Sequence, residues 1–174
     1  MKVSVIITTY NNPSFLKKVL DGFLYQKRAP HELIIADDGS GNDTALLIKS
    51  FSEIAPFPVL HVWQENKGFR AARIRNKAIQ QSSGDYIILL DGDCIINSAF
   101  ISDHLSMSEK GLFIQGKRIL VHKNATADFT YAHASSYSSL IKMALTGKIS
   151  NIHHLIRLPY VPSIKNRSLE NIKS

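Results

Sequence analysis

The stretch Asp85-Tyr-Ile-Ile-Leu-Leu-Asp-Gly-Asp-Cys94 ends an apolar run with two carboxylates, Asp91 and Asp93, one glycine apart. No lysine or arginine stands within it, so the pair repels itself unless a positive charge reaches it. On an extended segment residues i and i+2 point the same way, and both side chains can then face one cation. Gly92 leaves no side chain between them to crowd a ligand. Hard oxygen donors of this kind suit Mg²⁺ or Mn²⁺, which keep positions open for phosphate oxygens. The competing reading is an aspartate-rich surface turn, and an Asp-x-Asp pair alone does not separate the two.

Other phosphate chemistries lack their residues. A dinucleotide fingerprint needs glycines directly after the first strand, where Thr8-Thr-Tyr-Asn11 stands instead. A P-loop needs Gly-Lys before Ser or Thr, but Gly116-Lys117 precedes Arg118 and Gly147-Lys148 precedes Ile149. A phosphoacceptor receiver wants its acidic pair after strand one, whereas Asp37-Asp38 follows strand two. A nucleotidyltransferase wants a glycine-rich, lysine-bearing loop after strand one, and there is none.

Four short apolar runs supply the strands that position these residues: Val3 to Ile7, Leu33 to Ala36, Val59 to Trp63 and Tyr86 to Leu90. Between them lie stretches of helical period. Asn12-Pro13 reads as a cap followed by proline at the first helical position, ahead of Phe15, Leu16, Val19, Leu20, Phe23 and Leu24. Asn42 or Asp43 is expected to cap a second helix, Gly68 to open a third, and Ser98 to cap a fourth that ends at Gly111. Residues 112–115 and 118–121 read as a hairpin about Gly116-Lys117. Strands alternating with helices predict an α/β fold with a mostly parallel sheet covered on both faces, strands one and four being neighbours. Ligands in such sheets bind beyond the strands' carboxyl ends at the switch point. Thr8 to Asn11, Asp37, Asp38, Asp91 and Asp93 would share that rim.

The bulk composition fits a soluble globular chain, 44% hydrophobic and 20% charged over 174 residues. Its one cysteine, Cys94, allows no intramolecular disulfide, which fits a reducing compartment. Neither a secretory signal nor an apolar run of membrane-spanning length is expected. Through Asp93 the chain has 11 Lys+Arg against 10 Asp+Glu; from Cys94 onward it has 10 against 4. The basic second half suits either a solvated face or an anionic membrane surface. Nucleic acid is disfavoured: no basic run or zinc spacing accompanies it. The expected organisation is a core over 1–124, a helical extension over 125–162 and a disordered tail over 163–174.

Taken in order, Thr8-Thr-Tyr-Asn-Asn12, Ile35-Ala-Asp-Asp-Gly-Ser40, Glu65-Asn-Lys-Gly-Phe-Arg-Ala-Ala-Arg-Ile-Arg-Asn76 and Leu90-Asp-Gly-Asp93 resemble the inverting GT-A glycosyltransferases of family 2. The likeness covers residues 2 to 125 and is closest to bacterial members that build lipopolysaccharide and capsule chains. It implies a GT-A, Rossmann-like core that binds a nucleotide-sugar donor, a UDP-sugar in the first instance, and transfers the sugar to a saccharide or lipid-linked saccharide acceptor. It also implies roles. Thr8 and Tyr10 would line the nucleotide pocket, Asp38 would accept from a base N–H of uracil or guanine, and Arg75 would face the donor. Asp91 would approach the ribose and metal, Gly92 would lie at the donor nucleotide, and Asp93 with Asp91 would hold Mn²⁺ or Mg²⁺. Asp37 reads as a turn former, and Asn76 as a pin between helix and loop. The family's catalytic base belongs to an acidic pair well past Asp-x-Asp. Beyond Asp93 this chain has only the isolated Asp103, Glu109, Asp128 and Glu170. No catalytic residue is therefore assigned: the base is expected beyond the C-terminus, the chain stopping before the acceptor half. His122, His133, His153 and His154 read as ordinary surface or core histidines. The resemblance places the protein in the cytoplasm, with peripheral contact on the inner membrane face. The alternative is a non-catalytic nucleotide-sugar, partner or membrane-binding module.

Overall fold

The computed structural model describes residues 1–155. Four parallel strands form the main sheet: β1 (Val3–Thr9), β2 (Glu32–Asp37), β3 (Val59–Trp63) and β4 (Tyr86–Asp91), in the order β3-β2-β1-β4. The crossovers β1-α1-β2 and β2-α2-β3 step one way, so right-handedness puts α1 (Pro13–Leu24) and α2 (Asn42–Ile54) on one face. The next crossover reverses, carrying α3 (Ala71–Gln81) to the other face and β4 to the far side of β1. That reversal makes the crevice between β1 and β4 the switch point.

Two apolar layers follow. Leu16, Val19, Leu20 and Phe23 of α1 and Ile48 and Phe51 of α2 pack on Val5, Ile7, Leu33, Ile35 and Ile88, joined by Ile101 of α4 (Phe100–Met107). Ile74 and Ala78 of α3 pack on Ile6, Ile34, Ala36 and Val62. β1 and β2, buried on both faces, read as continuous apolar runs for that reason. β4 differs from the expected two-sided burial. It is an outer strand, and Ile87 and Leu89 stay exposed because α3 reaches only the β1–β3 half.

Several element ends differ from expectation. Asn12 caps α1 as its spacing predicts, its Oδ1 accepting from Phe15 N. α2 starts one residue early, at the Gly41 cap, leaving Asp43 to meet the helix dipole in its first turn. α3 starts at Ala71 rather than Gly68, because residues 66–70 are turned back toward the rim: Gly68 has φ +83°, and Asn66 Oδ1 accepts its N–H. Ser98 does not cap α4; its N–H is taken by Ser135, and the helix ends at Met107, before Gly111.

The expected 112–121 hairpin does not form. β5 is only Leu120–Val121, and its antiparallel partner is β6 (Ile149–Ser150). Between them lie α5 (Lys123–Thr126), α6 (Tyr131–Ala134) and α7 (Tyr137–Leu145), and a 3₁₀ turn over Ile152–Leu155 follows β6. Ala125, Phe129, Leu140, Met143 and Ile149 make a third apolar cluster. It is tied to α1 by Lys18 Nζ, which donates to the carbonyls of Thr126 and Ala127, and by Tyr25 stacked on Tyr131 at 4.1 Å. The tail expected over 163–174 lies outside the described residues.

Candidate functional site

The rim at the carboxyl ends of β1, β2 and β4 gathers most of the residues singled out by type and spacing. Thr8 and Asp91 are partners in the β1–β4 ladder. Arg75, reaching down from α3, donates through Nε to Thr8 Oγ1 at 2.7 Å and through a terminal nitrogen to Asp91 Oδ1 at 2.6 Å. One planar guanidinium thus spans the switch point, a geometry lysine does not offer.

Asp91 is therefore not without a cation, as its sequence neighbourhood suggests. Besides Arg75 it meets Arg118, whose terminal nitrogen lies 3.6 Å from Oδ2. Arg118 comes from the segment before β5, 27 positions away in sequence, and was read only as a strand residue. Asp93 differs: its carboxylate accepts from the Cys94 thiol at 3.6 Å, and Arg118 acts on it only through its charge, without a close salt bridge.

Asp91 and Asp93 do converge, though a turn rather than an extended segment brings them together. Cys94 N–H donates to the Asp91 carbonyl at 3.0 Å, folding residues 91–94 back on themselves. One ligand atom each from Asp91, Asp93 and Cys94 lies within 4.8 Å of the others. Opposed oxygens on one octahedral dication stand about 4.2 Å apart, so small side-chain rotations suffice for a shared ion. Gly92 has a structural reason as well. A Cβ there would lie 2.8 Å from the Thr8 carbonyl, which already accepts the Gly92 N–H at 2.8 Å. Burial pushes the Cys94 thiol up; Arg118 opposes this, while the carboxylates of Asp93 and Asp91 add to it.

On the β2 side, both acidic residues are buried. Asp38 is 3% exposed, with Oδ1 accepting from Gln64 Nε2 at 2.6 Å and Oδ2 from the Arg70 backbone N–H at 2.7 Å. A base N–H at Asp38 would have to use a remaining lone pair. Beside it, Gln64 Oε1 and Arg70 Nε are buried without hydrogen-bond partners among the described residues, an acceptor and a donor in one place. Asp37 is the turn former its Asp-Gly context suggests: Oδ1 accepts Ser40 N–H at 2.8 Å, and Oδ2 pairs with His61 at 3.0 Å. Burial alone would raise the Asp37 carboxyl, but the bonds from His61 and Ser40 outweigh it and hold it below its ordinary value.

Tyr10 stands half exposed above this floor, its hydroxyl accepting from Asn66 Nδ2 at 2.8 Å. Asn66 in turn packs on Gly39, where φ is +96° and a Cβ would fall 2.6 Å from Asn66 N. Asn11, at φ +44°, donates its N–H to Ser40 Oγ and accepts from Gly41. Asn11 stands at the rim as expected, but neither Gln64 nor Arg118 stands out in the sequence. Gln64 follows a strand end and carries an amide, a weak signal that could find it; Arg118 gives none. Asn76 is exposed and makes no side-chain hydrogen bond among the described residues, so it pins nothing.

The chain matches the family model for glycosyl transferase family 2 over residues 4–158. It is 33% identical to glycosyltransferase AglE of Haloferax volcanii over 156 residues, covering 85% of this chain and 48% of AglE. It is 31% identical to the O-antigen chain rhamnosyltransferase RfbN of Salmonella typhimurium, covering 80% of this chain and 44% of RfbN. Glycosyltransferase GlyA of Streptococcus pneumoniae shares 33% identity over 58% of this chain and 14% of its own length. The chain thus spans less than half of each of these relatives. Among solved structures, S. aureus TarS 1–349 superposes with a TM-score of 0.53 at 26% identity, over 62% of this chain and 32% of TarS 1–349; it has also been solved with UDP and with UDP-GlcNAc. The parallel sheet with its flanking helices matches that fold over this part. On the extent of the family match, the chain belongs to glycosyl transferase family 2.

Proposed function

We propose that residues 1–155 form the donor-binding part of a metal-dependent, inverting glycosyltransferase that takes a UDP-sugar and serves a saccharide or lipid-linked saccharide acceptor in cell-surface polysaccharide synthesis. The observation that carries this reading is the convergence of Thr8, Arg75, Asp91 and Asp93 at the switch point between β1 and β4. The donor set fits a hard dication: two carboxylates whose oxygens stand close together, with Asp93 making no close salt bridge among the described residues although it lies in the field of Arg118. Asp93 with Asp91 would hold Mn²⁺ or Mg²⁺, which supplies neutralisation of the diphosphate as it leaves. Arg75 and Thr8 orient the diphosphate side, Gly92 lets the backbone lie close over β1, and Tyr10 faces the base. The buried acceptor and donor beside Asp38, on Gln64 and Arg70, suit the mixed N–H and C=O edge of a uracil. The TarS complexes with UDP and UDP-GlcNAc favour uridine as the nucleoside.

Removing the acceptor proton calls for a carboxylate on the opposite face of the sugar. We assign it to none of the described residues, so this chain is expected to bind donor and to transfer sugar weakly or not at all. The organisation that fits is a nucleotide-binding core through residue 124 followed by a helical extension.

A peripheral membrane contact has its own support. On α7, Tyr137, Ile141 and Leu145 form an exposed stripe at i, i+4 and i+8, Leu145 being 84% exposed, beside Lys142 and Lys148. No helix among the described residues is long and apolar enough to cross a membrane. Sedimentation with phosphatidylglycerol vesicles, lost in Ile141→Asp/Leu145→Asp, is the expected result, and retention by that variant would remove the contact. For the donor site, calorimetry should show UDP binding that needs Mn²⁺ and is lost in Asp93→Ala. Equal affinity with and without the metal would overturn that reading.

A further inference from the structure

We infer that Arg118 is a second diphosphate-positioning residue, held on Asp91 in the free protein and exchanged onto the nucleotide when metal and donor bind together. The inference rests on the donor-site reading above. Three observations carry it. Asp91 has its two oxygens divided between two arginines, Arg75 at 2.6 Å on Oδ1 and Arg118 at 3.6 Å on Oδ2. Their settings differ: Arg75 is also fixed by Thr8 and is two-thirds buried, whereas Arg118 is 68% exposed, with the Cys94 sulfur at 3.8 Å and the charge of Asp93 as its further neighbours among the described residues. Finally, Arg118 also reaches the Cys94 sulfur and acts on Asp93, so it stands beside the carboxylates that would share a cation.

Charge arithmetic turns this geometry into an order of events. Without ligand, Asp91 and Asp93 are matched by Arg75 and Arg118, and this group of four side chains is neutral. A dication arriving alone would leave two uncompensated positive charges beside Arg118. A nucleotide-sugar brings two negative charges on its diphosphate, so metal and donor entering together would restore neutrality. Asp91 and Asp93 would then hold the metal, and the guanidinium of Arg118, released from Asp91, would meet phosphate oxygens suited to its planar fork. Arg118 therefore opposes metal binding in the empty site and favours nucleotide binding in the loaded one. A residue that merely supported the loop would not act with opposite signs.

The test is a pair of titrations on the full chain, with wild type, Arg118→Ala and Arg118→Lys. Mn²⁺ alone, followed by electron paramagnetic resonance, should bind about two- to fivefold tighter to Arg118→Ala, since an exposed competing ion pair is lost. UDP titrated in saturating Mn²⁺ should bind about tenfold more weakly to the same variant, with Arg118→Lys lying between. Melting temperatures should stay level, because the side chain is mostly in solvent. If wild type binds Mn²⁺ and UDP but Arg118→Ala changes neither constant, or weakens both, the exchange is wrong while the donor site stands. If wild type binds UDP with no need of metal, the donor-site reading fails and takes the exchange with it.

Discussion

Arg75 and Asp91 face each other at 2.6 Å across the β1–β4 crevice, and the same guanidinium grips the Thr8 hydroxyl at 2.7 Å. Both side chains are more than a third exposed, so the pair adds little to folding, on the order of 1 kcal/mol or less. Its contribution is to place a fixed positive fork where phosphate would lie. Arg75→Ala should shift the urea midpoint only slightly yet weaken UDP binding at least about tenfold by calorimetry. A large stability loss with unchanged affinity would reverse that assignment.

Asp37 and His61 predict an acid limb in stability. The folded protein holds the Asp37 carboxyl below its ordinary value, so its contribution is complete at neutral pH, above the unfolded-state value. It is lost as pH falls through the lowered folded value. Asp37→Ala leaves the Ser40 N–H unpaired in a buried place and should cost about 2–3 kcal/mol at pH 7. Its deficit against wild type should narrow below about pH 4 in thermal melts, and a gap that widened there would contradict the sign.

Gly39 is needed for both its backbone angle and its lack of a side chain. At φ +96° any L residue is strained, and a Cβ would strike Asn66 backbone at 2.6 Å. Gly39→Ala should destabilise by about 2–3 kcal/mol. It should also weaken UDP binding, because the displaced Asn66 is the residue that holds the Tyr10 hydroxyl. Chemical denaturation and calorimetry on one sample separate the two effects.

Phe129 anchors the third apolar cluster, 5% exposed among Ala125, Leu140, Met143 and Ile149. Because that cluster stands apart from the sheet's two layers, Phe129→Ala should loosen residues 123–150 locally. Trypsin should cut faster at Lys123, Lys142 or Lys148, while amide protection in β1 and β2 stays as in wild type.

The sequence was most legible where structure is local. β1, β2 and α1 follow from apolar runs and the Asn12-Pro13 cap, and the reversal after β3 follows from handedness. Thr8, Asp38, Asp91 and Asp93 stand at or near the rim because strand ends put them there, whereas Arg75 reaches it from α3 and is indicated only by the family resemblance. What failed was non-local. Leu120 and Val121 pair with Ile149 and Ser150, a partner chosen by the Phe129 cluster and not by the nearby Gly116-Lys117. Arg118 reaches Asp91 through that same packing, with no periodicity to announce it. The start of α3 was misplaced because residues 66–70 spend their backbone groups on Asp38 and on a turn, not on a helix.

The central place of β1 also bears on how the protein is made. β1 leaves the ribosome before the other strands of the sheet but is flanked on one side by β4, whose residues appear some eighty positions later. Until they arrive, Ile6 and Val3 have an unpaired edge and Arg75 lacks Asp91. A nascent chain halted before Tyr86 would thus carry three of the four strands with an open, adhesive flank, and is the species for which a holding chaperone matters most.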